Sequence, residues 1–319
     1  MDARLVWDTW RRILTDDQLV EWVVKSKDSG ARAPAGLTAE EIAILADYAG
    51  TPVATDTNIG MYRRGLVRNA LSALSFVPLT RSLLYMSGLD VEAVAADFAR
   101  STGYADDGPN FWRIAGGFVA YLAGLPEFAA RLQQDVLALD AAAVALARRL
   151  GESAPEVWPE KTAVIFSEAG PRVGRESARF VANSAAVVIS SSYDLTAWIE
   201  NPNVFDADEE LEPSTRHWLI YFPAADAAHA YAELSERTAR AFNLLSTPKT
   251  AAELSLALDG LPVAEVLEVV NSLAGLGVIV SDENHPSSKL KAARLHQGDL
   301  RHGEPLHVTP RETGGAVIT

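Results

Sequence analysis

Residues 185–223 read AAVVISSSYDLTAWIENPNVFDADEELEPSTRHWLIYFP, and the organisation of the chain follows from how this stretch is divided. Its β-branched and aromatic content predicts three strands: AAVVISS (Ala185–Ser191), LTAWIEN (Leu195–Asn201) and HWLIYFP (His217–Pro223). SSYD (Ser191–Asp194) supplies a tight turn between the first two. The stretch from Asn201 to Thr215 is too acidic and proline-bearing for a strand and reads as a loop. In the third strand Trp218, Ile220 and Phe222 share one face, and His217, Leu219 and Tyr221 share the other; Pro223 stops it. Which of those faces meets a groove is open at this point.

Working outward toward the C-terminus, three helices are expected. The first is AAHAYAELSERTARAFNLL, the second TAAELSLAL and the third PVAEVLEVVNSLAGLG. The second opens on a capping box, with Thr250 as cap and Glu253 three residues on. The third ends at Gly275 or Gly277 and leads into a short strand, VIV. A small sheet backed by a helical trio can take up an extended peptide, because an edge strand carries unpaired N–H and C=O groups. The same trio can bind DNA. The third helix carries Glu265 and Glu268 as its only charges, and the whole chain is formally −14, so a polyanionic phosphate backbone is disfavoured as a partner.

Working outward toward the N-terminus, the pattern is helical throughout. Leu5, Trp10, Ile13, Leu14, Leu19, Trp22 and Val23 fall on one stripe, which Asp16-Asp17 divides into two short helices. A second capping box, Thr38 with Glu41, opens a helix that closes on Gly50. Tyr62, Leu66, Asn69, Ala70, Ala73 and Leu74 mark the next helix, and Pro78 bends the chain after Phe76-Val77. Leu89–Thr102 and Phe111–Gly124 are further helices, and a long one is expected from about Glu127 to Gly151. Core packing accounts for Tyr62 and Phe118. Arg64 and Arg68 share a face at i, i+4, and with Arg63 they form either a solvated basic face or a surface for an acidic patch on a partner.

The expected fold class is therefore α+β, mostly α. An all-helical domain (1–151) precedes a connector (152–184) in which TAVIFSE is a possible short strand, a three-strand, three-helix domain (185–283) and a polar tail (284–319). The 319 residues suffice for two cores, and an apolar content of 48% argues against disorder. No apolar run is long enough to cross a membrane, and MDARLVWDTWRR lacks the apolar region of a secretory signal, so no membrane partner and a cytoplasmic location are expected. There are no cysteines, which removes disulfides, thiolate metal sites and cysteine nucleophiles. The six histidines include His296, His302 and His307 in the tail, without the spacing of a helical metal site. No phosphate-binding glycine loop and no nucleophile elbow is present. No catalytic residue, metal site or cofactor of its own is expected.

Two resemblances add to this reading. Over about residues 1–150, Tyr62, Arg63, Phe76, Pro78, Leu79, Phe98, Pro109, Phe118, Tyr121 and Leu122 stand in the order found in the N-terminal domain of the HvfC/BufC-type partner proteins. The family often continues Tyr-Arg with Asn-Asn, where this chain has Arg64-Gly65. The C-terminal part resembles the PqqD-like winged helix–turn–helix recognition element of ribosomal peptide natural product (RiPP) biosynthesis, through ELSERTARAFNLL, KTAAEL and LAGLGVIV. The long acidic loop before the third strand departs from that pattern. The resemblance implies that the leader of a precursor peptide adds a strand to the third strand and packs on the third helix. That places the contact at Trp218, Leu219, Ile220 and Tyr221 and at Leu267, Val270, Asn271 and Ala274, with Arg63, Arg64 and Arg68 toward a partner subunit.

Together the resemblances imply a non-catalytic subunit, paired with a TIM-barrel oxidase that holds the non-haem iron and modifies cysteine residues of the precursor. They are closer to the 3-thiaglutamate than to the methanobactin type. The alternative from the residues alone is a winged-helix transcriptional regulator with a helical sensing domain.

Overall fold

The computed structural model describes residues 2–29, 32–105, 111–152, 178–204, 211–223 and 228–281. They form two compact units, divided between Phe128 and Ala129. The fold is α+β and mostly helical, with helices alone in the first unit. The possible TAVIFSE strand, Pro109 and the 284–319 tail lie outside the described residues.

The first unit contains α1 (Ala3–Thr15), α2 (Asp17–Ser29), α3 (Ala39–Ala49), α4 (Asp56–Ala73), α5 (Pro78–Met86), α6 (Val91–Ser101) and α7 (Phe111–Ala123). Asp16 is the break between α1 and α2, as its sequence suggests. It is extended (φ −126°), and its Oδ1 accepts from the N–H groups of Gln18 at 2.9 Å and Leu19 at 3.3 Å. The Thr38–Glu41 capping box is formed in both directions, and Gly50 closes α3. Pro78 stands in the first turn of α5, after Val77 at a non-helical φ of −132°. Ile13, Leu14, Leu19, Val23, Leu45 and Leu66 form the core of this unit, with Trp10 and Tyr62 packed on its margin. Tyr62 meets Trp10 edge-on at 4.8 Å, and the fully buried Phe118 stacks on Phe98 at 4.8 Å, so both rings are packing residues. Gly117 makes the second stack possible: a Cβ there would sit 3.4 Å from the Phe98 ring.

The second unit begins with α8 (Arg131–Glu152) and continues through β1 (Arg179–Ala182), β2 (Ala186–Ser191), α9 (Thr196–Glu200), β3 (Arg216–Tyr221), β4 (Ala230–Leu234), α10 (Glu236–Leu244), β5 (Lys249–Thr250), α11 (Ala251–Ala257), α12 (Val263–Gly275) and β6 (Ile279–Ser281). The long helix α8, which its place in the sequence assigned to the helical half, thus belongs with the sheet. The boundary falls at Phe128 rather than at 151. Arg131 Nε donates to Ser192 Oγ at 2.8 Å, Asp135 Oδ2 accepts from the Ser192 N–H at 2.5 Å, and Arg149 donates to the Ser184 carbonyl at 2.8 Å.

Strands β2, β3 and β4 form one antiparallel sheet in that order, in the register Val187↔Ile220↔Tyr231. Alternation along the strands gives each face a different cover. Val188, Leu219, Tyr221, Ala232 and Leu234 pack into a core shared with Phe242, Leu245, Leu254, Val266 and Leu273 of the three-helix part. The opposite face, with Trp218, Ile220 and Tyr231, is turned toward α8. A second small sheet, in the order β5-β1-β6, closes the helical trio. Its central strand comes from the segment expected as connector. The buried Asn183 anchors the chain there, its amide donating to the Gly277 carbonyl at 2.9 Å.

Two segments differ from the sequence expectation. LTAWIEN is not a strand. Asp194 Oδ1 accepts from the Thr196 N–H at 3.0 Å and starts α9, and Leu195 and Trp198 are buried at helical spacing while Ala197 and Glu200 are exposed. The start of AAHAYAELSERTARAFNLL is not helical either. Ala230–Leu234 is β4, and Ser235 caps α10, its hydroxyl accepting from the Thr238 N–H.

Candidate functional site

The third strand of the sheet is β4, and this relocates the candidate site. Trp218, Leu219, Ile220 and Tyr221 lie on β3, which pairs with β2 on one side and with β4 on the other. The hydrogen-bonding positions of β3 are thus shared between two neighbours, and the four side chains are 0–8% exposed. Trp218 is tied down further, its Nε1 donating to Ser191 Oγ at 2.8 Å. The expectation that these residues grip an extended guest is corrected: they are the centre of the sheet. Among the described residues β2 and β4 are the outer strands of this sheet; Arg149 of α8 donates to the Ala186 carbonyl of β2 at 3.4 Å, and β4 is the outer strand on the other side of β3. In an antiparallel pair alternate residues turn their N–H and C=O away from the partner, so β4 offers a row of donors and acceptors outward.

Helix α12 runs behind the same core. Val270 (0% exposed) and Ala274 (3%) are core residues, so they cannot be contact residues for a guest. Leu267 is half-buried on the margin of that core, and Asn271 is exposed. Arg237, in the first turn of α10 just after β4, reaches Glu265 in the first turn of α12 at 3.1 Å. The starts of α10 and α12 are therefore neighbours. Leu234 and Leu267 lie on the margin of one core. The charge in this region is acidic. Glu233 on β4, Glu236 on α10 and Glu265 and Glu268 on α12 are all exposed. Arg216 lies between two carboxylates, 3.0 Å from Asp194 and 3.0 Å from Glu233. The hydrogen bonds from Thr196, reinforced by Arg216, hold the Asp194 carboxyl below its ordinary value against a smaller opposing effect of burial. An open hollow of ≈ 670 Å³ lies at this end of β3 and β4, lined by Arg216, His217, Glu233 and Ser235 among others.

Behind β4 runs a polar chain that no sequence signal had singled out. His229 Nε2 lies 3.1 Å from Tyr231 Oη, and Tyr231 Oη donates to Asp140 Oδ1 of α8 at 3.5 Å. Asp140 has no exposed surface. Burial, helped by the Asp140 carboxylate, pushes the Tyr231 phenol well above its usual range, and burial lowers His229 to about 4. Both groups are neutral near pH 7. The one legible signal for β4 itself was the alternation of Ala230, Ala232 and Leu234 with Tyr231 and Glu233, masked by alanine, leucine and glutamate, which favour helices.

In the first unit, Arg63 acts as a structural clamp. It donates to Asp17 Oδ1 at 2.9 Å and to the Ile13 carbonyl at 3.1 Å, and its guanidinium sits 5.8 Å from the Tyr104 ring centroid. Arg64 and Arg68 are exposed. Among the described residues no group of three His, Cys, Asp or Glu side chains is placed to hold a metal ion, and no helix is long and apolar enough to cross a membrane. No protein-family model matches the chain, and a search of curated proteins finds no match.

Proposed function

We propose that this chain is the non-catalytic subunit of a peptide-modifying pair. It holds the leader of a ribosomal precursor along the free margin of β4 and presents the rest of the peptide to an iron-dependent TIM-barrel oxidase. The observation that carries this reading is the order of elements: a three-stranded antiparallel sheet with its third strand at the margin, followed by three helices. Backbone pairing to β4 needs little of the guest's sequence. Leu234 and Leu267 supply an apolar border that rewards a matching side chain. Holding the leader raises the effective concentration of the reactive end at a separate active centre, so this chain needs no chemistry of its own.

The regulator reading uses the same trio, with α11 and α12 as a helix–turn–helix. The charges oppose it: α12 carries only Glu265 and Glu268, and a recognition helix of that sign meets phosphates of the same sign.

The test is reconstitution. The chain, a TIM-barrel iron oxidase and a candidate precursor are combined, and the peptide is followed by mass spectrometry. The expected result is product formation that depends on the chain, with the chain and the barrel eluting as one complex. Equal product yield without the chain sinks the proposal, and tight, salt-sensitive binding to random duplex DNA moves it to the regulator reading.

A further inference from the structure

We draw no further inference here: the strongest candidate, the apolar surface patch of the first unit where the exposed Trp7 stacks on Trp10 beside Tyr48 and the exposed Val53, carries nothing because nothing in the structure shows what covers it.

Discussion

Tyr231, on the marginal strand β4, donates its phenolic hydrogen to the buried Asp140 carboxylate of α8 at 3.5 Å, and so ties the edge of the sheet to the helix behind it. The distance is long for an O–H···O bond, so its contribution belongs at the low end for a bond to a charged acceptor. Tyr231→Phe keeps the ring and removes the hydroxyl, which also lies 3.1 Å from His229 Nε2. The expected loss is about 1 kcal/mol, read as a lower urea midpoint at unchanged slope. A loss near zero would mean that water replaces the hydroxyl at no cost.

His229 gives the same region a pH dependence. Burial lowers its folded-state pKa to about 4, whereas an unfolded chain has an ordinary imidazole near 6.5. Between those values the unfolded state binds the extra proton, so stability falls as pH drops from about 6.5 and levels off below about 4. His229→Gln can still hydrogen-bond Tyr231 but does not titrate. The wild-type minus variant difference in unfolding free energy should therefore decline across that window at up to about 1.4 kcal/mol per pH unit. A flat difference would show that His229 protonates freely in the native protein.

What the sequence disclosed and what it hid divide along local and non-local physics. The capping boxes at Thr38–Glu41 and Thr250–Glu253, the break at Asp16 and the bend at Pro78 are local signals, and all four stand in the structure, Pro78 itself opening α5. The helical stripe of Ile13, Leu14, Leu19 and Val23 is likewise local and likewise present. The errors arose where partners decide. Ala230–Leu234 has helix-favouring residues and became a strand because β3 offered it a ladder. LTAWIE has strand-favouring residues and became helix because the Asp194 carboxylate turns the chain by accepting from the Thr196 N–H and Trp198 has a buried site. Because the helix-favouring composition of Ala230–Leu234 hides β4, the sequence makes β3 look marginal, whereas Trp218, Leu219, Ile220 and Tyr221 are core residues.

Trp218 distinguishes the centre of the sheet from its margin by experiment. It is 2% exposed, and its Nε1 donates to Ser191 Oγ. Trp218→Phe removes that donor and part of the packed ring, at an expected cost of about 2 kcal/mol in unfolding free energy. Affinity for a docking peptide, measured under conditions where the variant is folded, should change less than twofold. A large affinity loss without a stability loss would return Trp218 to the contact surface.

Thr250 tests how much of the three-helix part depends on one cap. Its Oγ1 accepts from the Glu253 N–H at 3.2 Å, while Glu253 Oε2 accepts from the Thr250 N–H at 2.7 Å. Thr250 also pairs with Arg179 across β5 and β1, so the cap sits where the second sheet meets α11. Thr250→Ala should cost about 1 kcal/mol by urea denaturation, and Thr250→Ser should restore most of it.

The three arginines of α4 separate a clamp from a surface. Arg63 makes two hydrogen bonds, to Asp17 and to the Ile13 carbonyl, and so fixes the junction of α1 and α2 against α4. Asp17 is exposed, so most of the value lies in the bond to the carbonyl and in the packing of the guanidinium near Tyr104. Arg63→Ala should lower the unfolding free energy by about 1–2 kcal/mol, and Arg63→Lys should recover only part, because an ammonium cannot reproduce the planar fork. Arg64 and Arg68 are exposed, and reversing both to glutamate should alter stability by less than about 0.5 kcal/mol. If these two face an acidic patch on the oxidase, the double reversal weakens the complex in a salt-dependent way while Arg63→Lys leaves it intact. The opposite pattern, with Arg63 controlling association and the exposed pair silent, would mean that the clamp is released on assembly.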